Sequence, residues 1–214
     1  MNHFYLVTWN AQGCVISETE KKQVLIDIVT KHQDAPVIFA IQEAGVDQHL
    51  HSCLEGIRYT EYWLEPNDAK NKRCTLGFLA PSDIPLDFSY KEGNWPRYVP
   101  CCTLRNLGIK LACIHAIAEQ HAAQDNVAEV LKLLNKDNFP FILAGDMNSP
   151  PAFSTHQSIS ASIRLVNCGS STHQCGDELD YFYVHSAIHT GAAYLYPVTP
   201  SDHNPVILEV KTEK

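Results

Sequence analysis

Short apolar runs punctuate this chain, and five of them stop at a compact polar cluster. Trp9 gives way to Asn10, Ile41 to Gln42-Glu43, and Ile114 to His115. Ala144-Gly145 gives way to Asp146-Met147-Asn148, and Thr199-Pro200 to Ser201-Asp202-His203. Apolar runs of about four to eight residues bounded by turn signals are the mark of buried strands. When such strands belong to packed sheets, the polar groups at their ends meet in space. The pattern therefore asks for a sheet-based core that gathers Asn, Glu, Asp and His at one edge.

The rest of the chain fits that frame. Residues 4–9 read as a strand, and Ser17-x-x-Glu20 resembles a capping box before a helix with Val24, Leu25, Ile28 and Val29 on its apolar stripe. Further strands are predicted at 36–41, 59–64, 75–79, 99–104, 109–114, 139–144, 179–184 and 206–210. A second helix is predicted over 120–135, with Val127, Val130, Leu131 and Leu134 on one face. Strands outnumber helices and each helix lies between strands, which predicts an α/β sandwich with one compact core. Residues 149–162 are polar and irregular and read as a surface loop. With no repeat or linker, the 214 residues are expected to form one domain spanning 1–214.

Charge narrows the function. Sixteen Lys and Arg against 24 Asp and Glu give a net charge of −8, which argues against a passive nucleic-acid binder. It leaves room for an enzyme that meets phosphates through a divalent metal, because the cation inverts the local charge. No stretch approaches the roughly 18–20 apolar residues of a membrane span, and Met1-Asn2-His3 leads straight into a strand rather than a signal peptide. The eight Cys lack a CxxC pair or zinc spacing. Cys101, Cys102 and Cys113 lie in apolar surroundings, as buried thiols do, while Cys168 and Cys175 flank a polar loop and could pair in an oxidising compartment. These features together predict synthesis in a reducing cytoplasm.

The polar clusters hold hard oxygen donors with two histidines, and another Asp stands in Leu179-Asp180-Tyr181. Carboxylate and amide oxygens suit Mg²⁺, which takes one or two protein carboxylates and keeps waters for a substrate phosphate. Imidazoles supply proton transfer and hydrogen bonds to a developing phosphorane. This is the inventory of metal-assisted phosphoester hydrolysis. Each residue also has an ordinary alternative. A strand-end Glu is commonly solvated, His115 could be a core histidine, and Gly145-Asp146-Met147-Asn148-Ser149-Pro150 could be a turn. Their recurrence at the ends of apolar runs favours a site.

The order of motifs resembles the endonuclease/exonuclease/phosphatase superfamily. It is carried by Thr8-Trp9-Asn10-Ala11-Gln12-Gly13, Ile41-Gln42-Glu43-Ala44-Gly45, Ile114-His115-Ala116, Leu143-Ala144-Gly145-Asp146-Met147-Asn148, Glu178-Leu179-Asp180-Tyr181 and Ser201-Asp202-His203-Asn204-Pro205-Val206. The first, second and fourth look most like the catalytic B subunits of cytolethal distending toxins. The resemblance implies a four-layer α-β-β-α sandwich, deoxyribonuclease-like, with the site at one end of the two sheets. It implies that Asn10 and Glu43 hold a divalent metal with Asp202 nearby, Mg²⁺ foremost and Mn²⁺ or Ca²⁺ as substitutes. It implies that Asp146 orients or deprotonates the attacking water and that Asn148 positions water and phosphate. His203, oriented by Asp180, and His115 would stabilise the phosphorane and the leaving oxygen. Arg97 matches a phosphate-contacting Arg.

Departures from the family pattern sharpen the expectations. Where pancreatic-type deoxyribonucleases place a Glu that supports the first catalytic His, this chain reads Asn71-Lys72-Arg73, so Lys72 and Arg73 become candidates for phosphate contact. Met147 replaces the usual Phe or Leu and should keep the packing. The leading expectation is a Mg²⁺-dependent endonuclease on DNA with little sequence preference, acting as a monomeric catalytic domain. A phosphoinositide phosphatase on the same site is the rival, and a non-catalytic binding module the third. The toxin likeness implies delivery to another cell, with carrier subunits that this sequence does not reveal.

Overall fold

The computed structural model describes residues 3–13, 19–45, 54–65, 72–93, 97–137, 139–154, 156–198 and 200–212. The first half of the chain forms β1 (His3–Asn10), α1 (Thr19–Lys31), β2 (Val37–Gln42), β3 (Tyr59–Leu64), β4 (Leu76–Pro81), β5 (Leu86–Lys91) and β6 (Val99–Leu104). The second half forms β7 (Ile109–His115), α2 (Gln120–Asn135), β8 (Phe141–Asp146), α3 (His156–Ile159), β9 (Ile163–Val166), β10 (Asp180–His185), β11 (His189–Leu195) and β12 (Val206–Lys211). One six-stranded sheet has the order β11-β12-β1-β2-β4-β3, and the other β5-β6-β7-β8-β10-β9.

Alternation along the strands divides the apolar residues between two faces. Phe4, Leu6, Ile38, Ala40 and Phe78 of the first sheet meet Leu111, Cys113, Ile142, Ala144 and Phe182 of the second. The opposite face of the first sheet, with Val7, Trp9, Phe39 and Ile41, is covered by Val24, Leu25, Ile28 and Val29 of α1. The opposite face of the second, with Ala112, Ile114, Leu143 and Tyr183, is covered by Val127, Val130, Leu131 and Leu134 of α2. The layers are α-β-β-α, the architecture expected. Buried Met147 packs on the α2 side, as a volume-conserving substitute should.

Two parallel pairs bring the polar strand ends together. In β1–β2, Asn10 stands opposite Gln42; in β7–β8, His115 stands opposite Asp146. Asp180 opens β10 opposite the same Asp146 in an antiparallel pair. Gly145 allows the close approach of β7 and β8, since a Cβ there would lie 1.9 Å from the Ile114 carbonyl oxygen.

Three strands escape the sequence pattern: β5, β9 and β11. All three are sheet edges. An edge strand is only partly covered, so its apolar run is broken: β5 carries Asp87, Ser89 and Lys91, and β11 shifts register between Thr190 and Ala193. Residues 149–162 are also more ordered than a surface loop. They hold a 3-10 turn (Pro151–Phe153) and α3, and Ile159 packs against the α2-side core. Ser17 of the expected capping box lies outside the described residues, as do Cys14 and Cys53. Cys101, Cys102 and Cys113 are buried free thiols, and burial pushes Cys101 and Cys113 each up to about 12. Cys168 and Cys175 are free thiols, not a disulfide. No helix of the described residues is long and apolar enough to cross a membrane.

Candidate active site

The loop before β12 is tied to the end of β1 by the residues of its own motif. Ser201 Oγ donates to the Asn10 carbonyl at 2.8 Å and accepts the His203 amide at 3.2 Å, and Trp9 Nε1 donates to the His203 carbonyl at 3.0 Å. This pinning places His203 beside the start of β10. There His203 Nδ1 donates to Asp180 Oδ2 at 2.7 Å, in a pair almost closed to solvent. Thr172 Oγ1 donates to the same oxygen at 2.8 Å and accepts the amides of Leu179 and Asp180. Burial works against a charged His203 ring. The carboxylates of Asp180, Asp146 and Asp202 outweigh it and raise its pKa to about 9.

Asp146 is the hub. Its Oδ2 accepts Asn10 Nδ2 at 2.9 Å and lies 3.6 Å from His115 Nε2 and 3.7 Å from His203 Nε2. Its Oδ1 accepts the Asn148 amide at 2.9 Å. Burial, followed by the charge of Asp180, lifts the Asp146 carboxyl above the ordinary range; the two histidines and Asn10 oppose the lift.

His115 differs from His203. Its Nε2 faces Asp146 and lies 3.7 Å from Glu43 Oε1, but its buried Nδ1 has no hydrogen-bond partner among the described residues. Burial lowers its pKa to about 4, aided by the charges of Arg97, His203 and Arg73 and opposed by Asp146. Buried, and with no partner on Nδ1 among the described residues, the ring is uncharged at neutral pH.

The cations expected at substrate divide. Arg97 Nη1 donates to the carbonyls of His115 (2.9 Å) and Ala116 (3.2 Å), and Asn148 Nδ2 donates to the same Ala116 carbonyl at 2.9 Å. Arg73, expected at phosphate, forms an ion pair with Glu43 through its Nε, as a carboxylate with little exposure favours a counter-charge. Lys72 begins a 3-10 turn (Lys72–Cys74), but its side chain lies outside the described residues.

Two further neighbours carry no sequence signal. Gln12 Nε2 donates to Asp202 Oδ2, and Gln12 Oε1 accepts the Asp202 amide at 3.4 Å. The His173 ring stands edge-on to that of His203, with centroids 4.5 Å apart. Gln12 lies within the Thr8–Gly13 motif, yet nothing local marks it as a partner 190 residues away. Backbone strain gathers here as well. Gln12 (φ 54°), Glu43 (φ 49°) and Asn148 (φ 47°) all adopt the left-handed conformation that L residues avoid.

The residues fit a hard divalent cation. Asn10, Glu43, Asp146 and Asp202 offer oxygen donors at the ends of three strands and one loop. Glu43 Oε2 is buried and ion-paired with Arg73, yet neither it nor the buried Asp180 Oδ1 has a hydrogen-bond partner among the described residues. Buried carboxylate oxygens in that state are satisfied by a cation or water.

Comparison with known proteins agrees. The model of the endonuclease/exonuclease/phosphatase family matches residues 7–203. No curated protein matches by sequence. Among solved structures, CdtB, the biologically active subunit of cytolethal distending toxin, superposes with a TM-score of 0.68 at 20% identity, covering 96% of each chain. The endonuclease domain of TRAS1, a telomere-specific non-LTR retrotransposon, gives 0.68 at 15% identity, with 99% of this chain and 100% of that one covered. Humanized D. rerio TDP2 gives 0.71 at 13% identity, covering 98% and 99%. With a family match across almost its whole length, the chain belongs to the endonuclease/exonuclease/phosphatase family and is a metal-dependent phosphoesterase.

Proposed function

We propose that this protein is a Mg²⁺-dependent endonuclease that hydrolyses DNA phosphodiester bonds with little sequence preference. The observation that carries the proposal is the position of Asp146 Oδ2 between two imidazole Nε2 atoms, at 3.6 and 3.7 Å. A phosphate seated against both rings places its attacking water beside a carboxylate whose basicity is already raised. Asp146 accepts the water's proton, with Asn10 and Asn148 fixing its two oxygens. His203, charged and braced by Asp180, holds a phosphoryl oxygen and keeps a proton for the leaving oxygen. Uncharged His115 contributes a hydrogen bond on the opposite side. The cation, held by Asn10, Glu43 and Asp202, would neutralise charge on the phosphoryl group. Little sequence preference is expected because the site motifs supply groups suited to phosphate and none of them is a base-reading element. The endonuclease domain among the structural neighbours supports the same substrate.

A second reading, phosphoinositide phosphatase, draws on Arg73 and Arg97. The charges of both reach His115, and a compact basic pocket around them would suit an inositol head group, where a long basic groove would suit DNA. Supercoiled plasmid nicking with Mg²⁺, run beside phosphate release from a soluble phosphoinositide, separates the two. Nicking that EDTA abolishes is expected, with His115→Ala and Asp202→Ala each lowering it at least about a hundredfold. Nicking that persists through both substitutions would sink these residue roles. Phosphate release without nicking would move the substrate to the second reading.

A further inference from the structure

His173 stands beside the site without a task in the chemistry above. It lies in the segment between β9 and β10 and forms an isolated antiparallel bridge with His203. Its amide donates to the Asp177 carbonyl at 3.1 Å, its carbonyl accepts the Gly176 amide at 3.0 Å, and its Nδ1 accepts the Cys175 amide at 3.1 Å. The ring is therefore set by its own loop. An imidazole nitrogen that accepts a hydrogen bond carries no proton, so the proton of the uncharged ring is on Nε2.

That Nε2 lies 3.7 Å from Asp202 Oδ2, beyond hydrogen-bond length, and Asp202 Oδ2 accepts from Gln12 instead. Among the described residues the Nε2–H donates to nothing. The side chain is 23% exposed where that of His203 is 7%, so His173 occupies the outer position of the edge-on pair. The His173, Asp202 and His203 ligand atoms lie within 4.8 Å of one another, as a metal site would require. The tautomer argues otherwise, because a protonated Nε2 has no lone pair to give.

We infer that His173 Nε2 donates to a second phosphate of the substrate, the one adjoining the phosphate held between His115, Asp146 and His203. A fixed N–H at the rim, one side chain outward from the charged His203, suits an oxyanion that follows the reacting group at short spacing. Two sources share this chemistry: the next phosphate of a nucleic-acid strand and a neighbouring phosphate on an inositol ring. The inference rests on the phosphoesterase site proposed above and adds that its substrates carry more than one phosphate.

The test compares His173→Phe, which keeps a ring against His203 and removes the donor, with His173→Gln, which keeps an N–H donor and removes the ring. Three substrates are used: an oligonucleotide, a soluble inositol polyphosphate and bis-p-nitrophenyl phosphate, which has one phosphate. Expected is a KM raised about tenfold by His173→Phe, with little change in kcat, on the oligonucleotide or the inositol compound, whichever is the substrate. Hydrolysis of bis-p-nitrophenyl phosphate should be unchanged, and His173→Gln should retain most of the wild-type KM. An equal loss on the one-phosphate diester, or tolerance of Phe but not Gln, would overturn the inference and make His173 a support for His203. Binding of a labelled 5′-phosphorylated oligonucleotide, with Ca²⁺ in place of Mg²⁺, reads the same contact without turnover. Loss of all turnover in the wild type with the Phe-specific binding defect intact would therefore fault the proposed activity alone. Binding indifferent to both substitutions would fault the role of His173.

Discussion

The two histidines that flank Asp146 sit at similar distances from it and in opposite electrostatic states. His203 is braced through Nδ1 by Asp180, itself held by Thr172, and carries its proton to about pH 9. His115 has no partner at Nδ1 among the described residues, faces the charges of Arg97 and Arg73, and stays uncharged down to about pH 4. The same side chain at the end of the same kind of apolar run becomes a cation on one side and a neutral donor on the other. Strand position delivers an imidazole to the site, and the second neighbour decides what that imidazole can do.

The widest test of this contrast is catalytic. His203→Ala is expected to lower kcat by about 10³–10⁴, the upper range for a charged acid group, against about 10² for His115→Ala. Equal losses in a single-turnover assay would break the contrast. Next comes stability. Asp180→Ala removes the closest counter-charge of buried His203, leaving only the more distant Asp146 and Asp202. It should cost about 3 kcal/mol in urea unfolding, whereas His115 has no such hydrogen-bonded counter-ion to lose.

The pH dependence follows with opposite signs. The His203 pKa lies above its unfolded value, so its contribution to stability is complete below about pH 6.5 and is lost as pH rises through about 9. The His115 pKa lies below its unfolded value, so its contribution is present above about pH 6.5 and is lost as pH falls through about 4. Ring-resonance NMR titration of the metal-free protein should show two midpoints on either side of neutrality; coincident midpoints would refute the assignment. The smallest effect is expected from Thr172→Val, which removes one donor from Asp180 and should cost about 1.5–3 kcal/mol. It should also lower the His203 midpoint, since a less firmly held carboxylate orients the ring less well.

Much of the fold and site is legible in the residues alone, and the gaps have physical causes. The central strands and both long helices stand out because full burial leaves continuous apolar runs or a helical stripe. Edge strands β5, β9 and β11 do not, because partial exposure interrupts the pattern. Asn10, Glu43, His115, Asp146, Asp202 and His203 are visible as polar stops, Asp180 as a further Asp in Leu179-Asp180-Tyr181, and the fold gathers them. His173 and Gln12 are not, since a single His or Gln in a polar stretch has no periodicity to betray it. Arg73 reads toward substrate in the sequence, whereas its nearest partner in the fold is Glu43.

By itself the sequence determined which segments are buried, which residues end them, and hence an α/β sandwich with a polar edge; its four-layer form was implied by the resemblance of its motifs. Those properties are local: they depend on the hydrophobicity of neighbours a few positions apart. Only the tertiary structure decided the protonation of each histidine, the direction of Arg73 and the place of His173. Those depend on charges and hydrogen bonds between residues as distant as Gln12 and Asp202, whose 190-residue separation no local pattern spans.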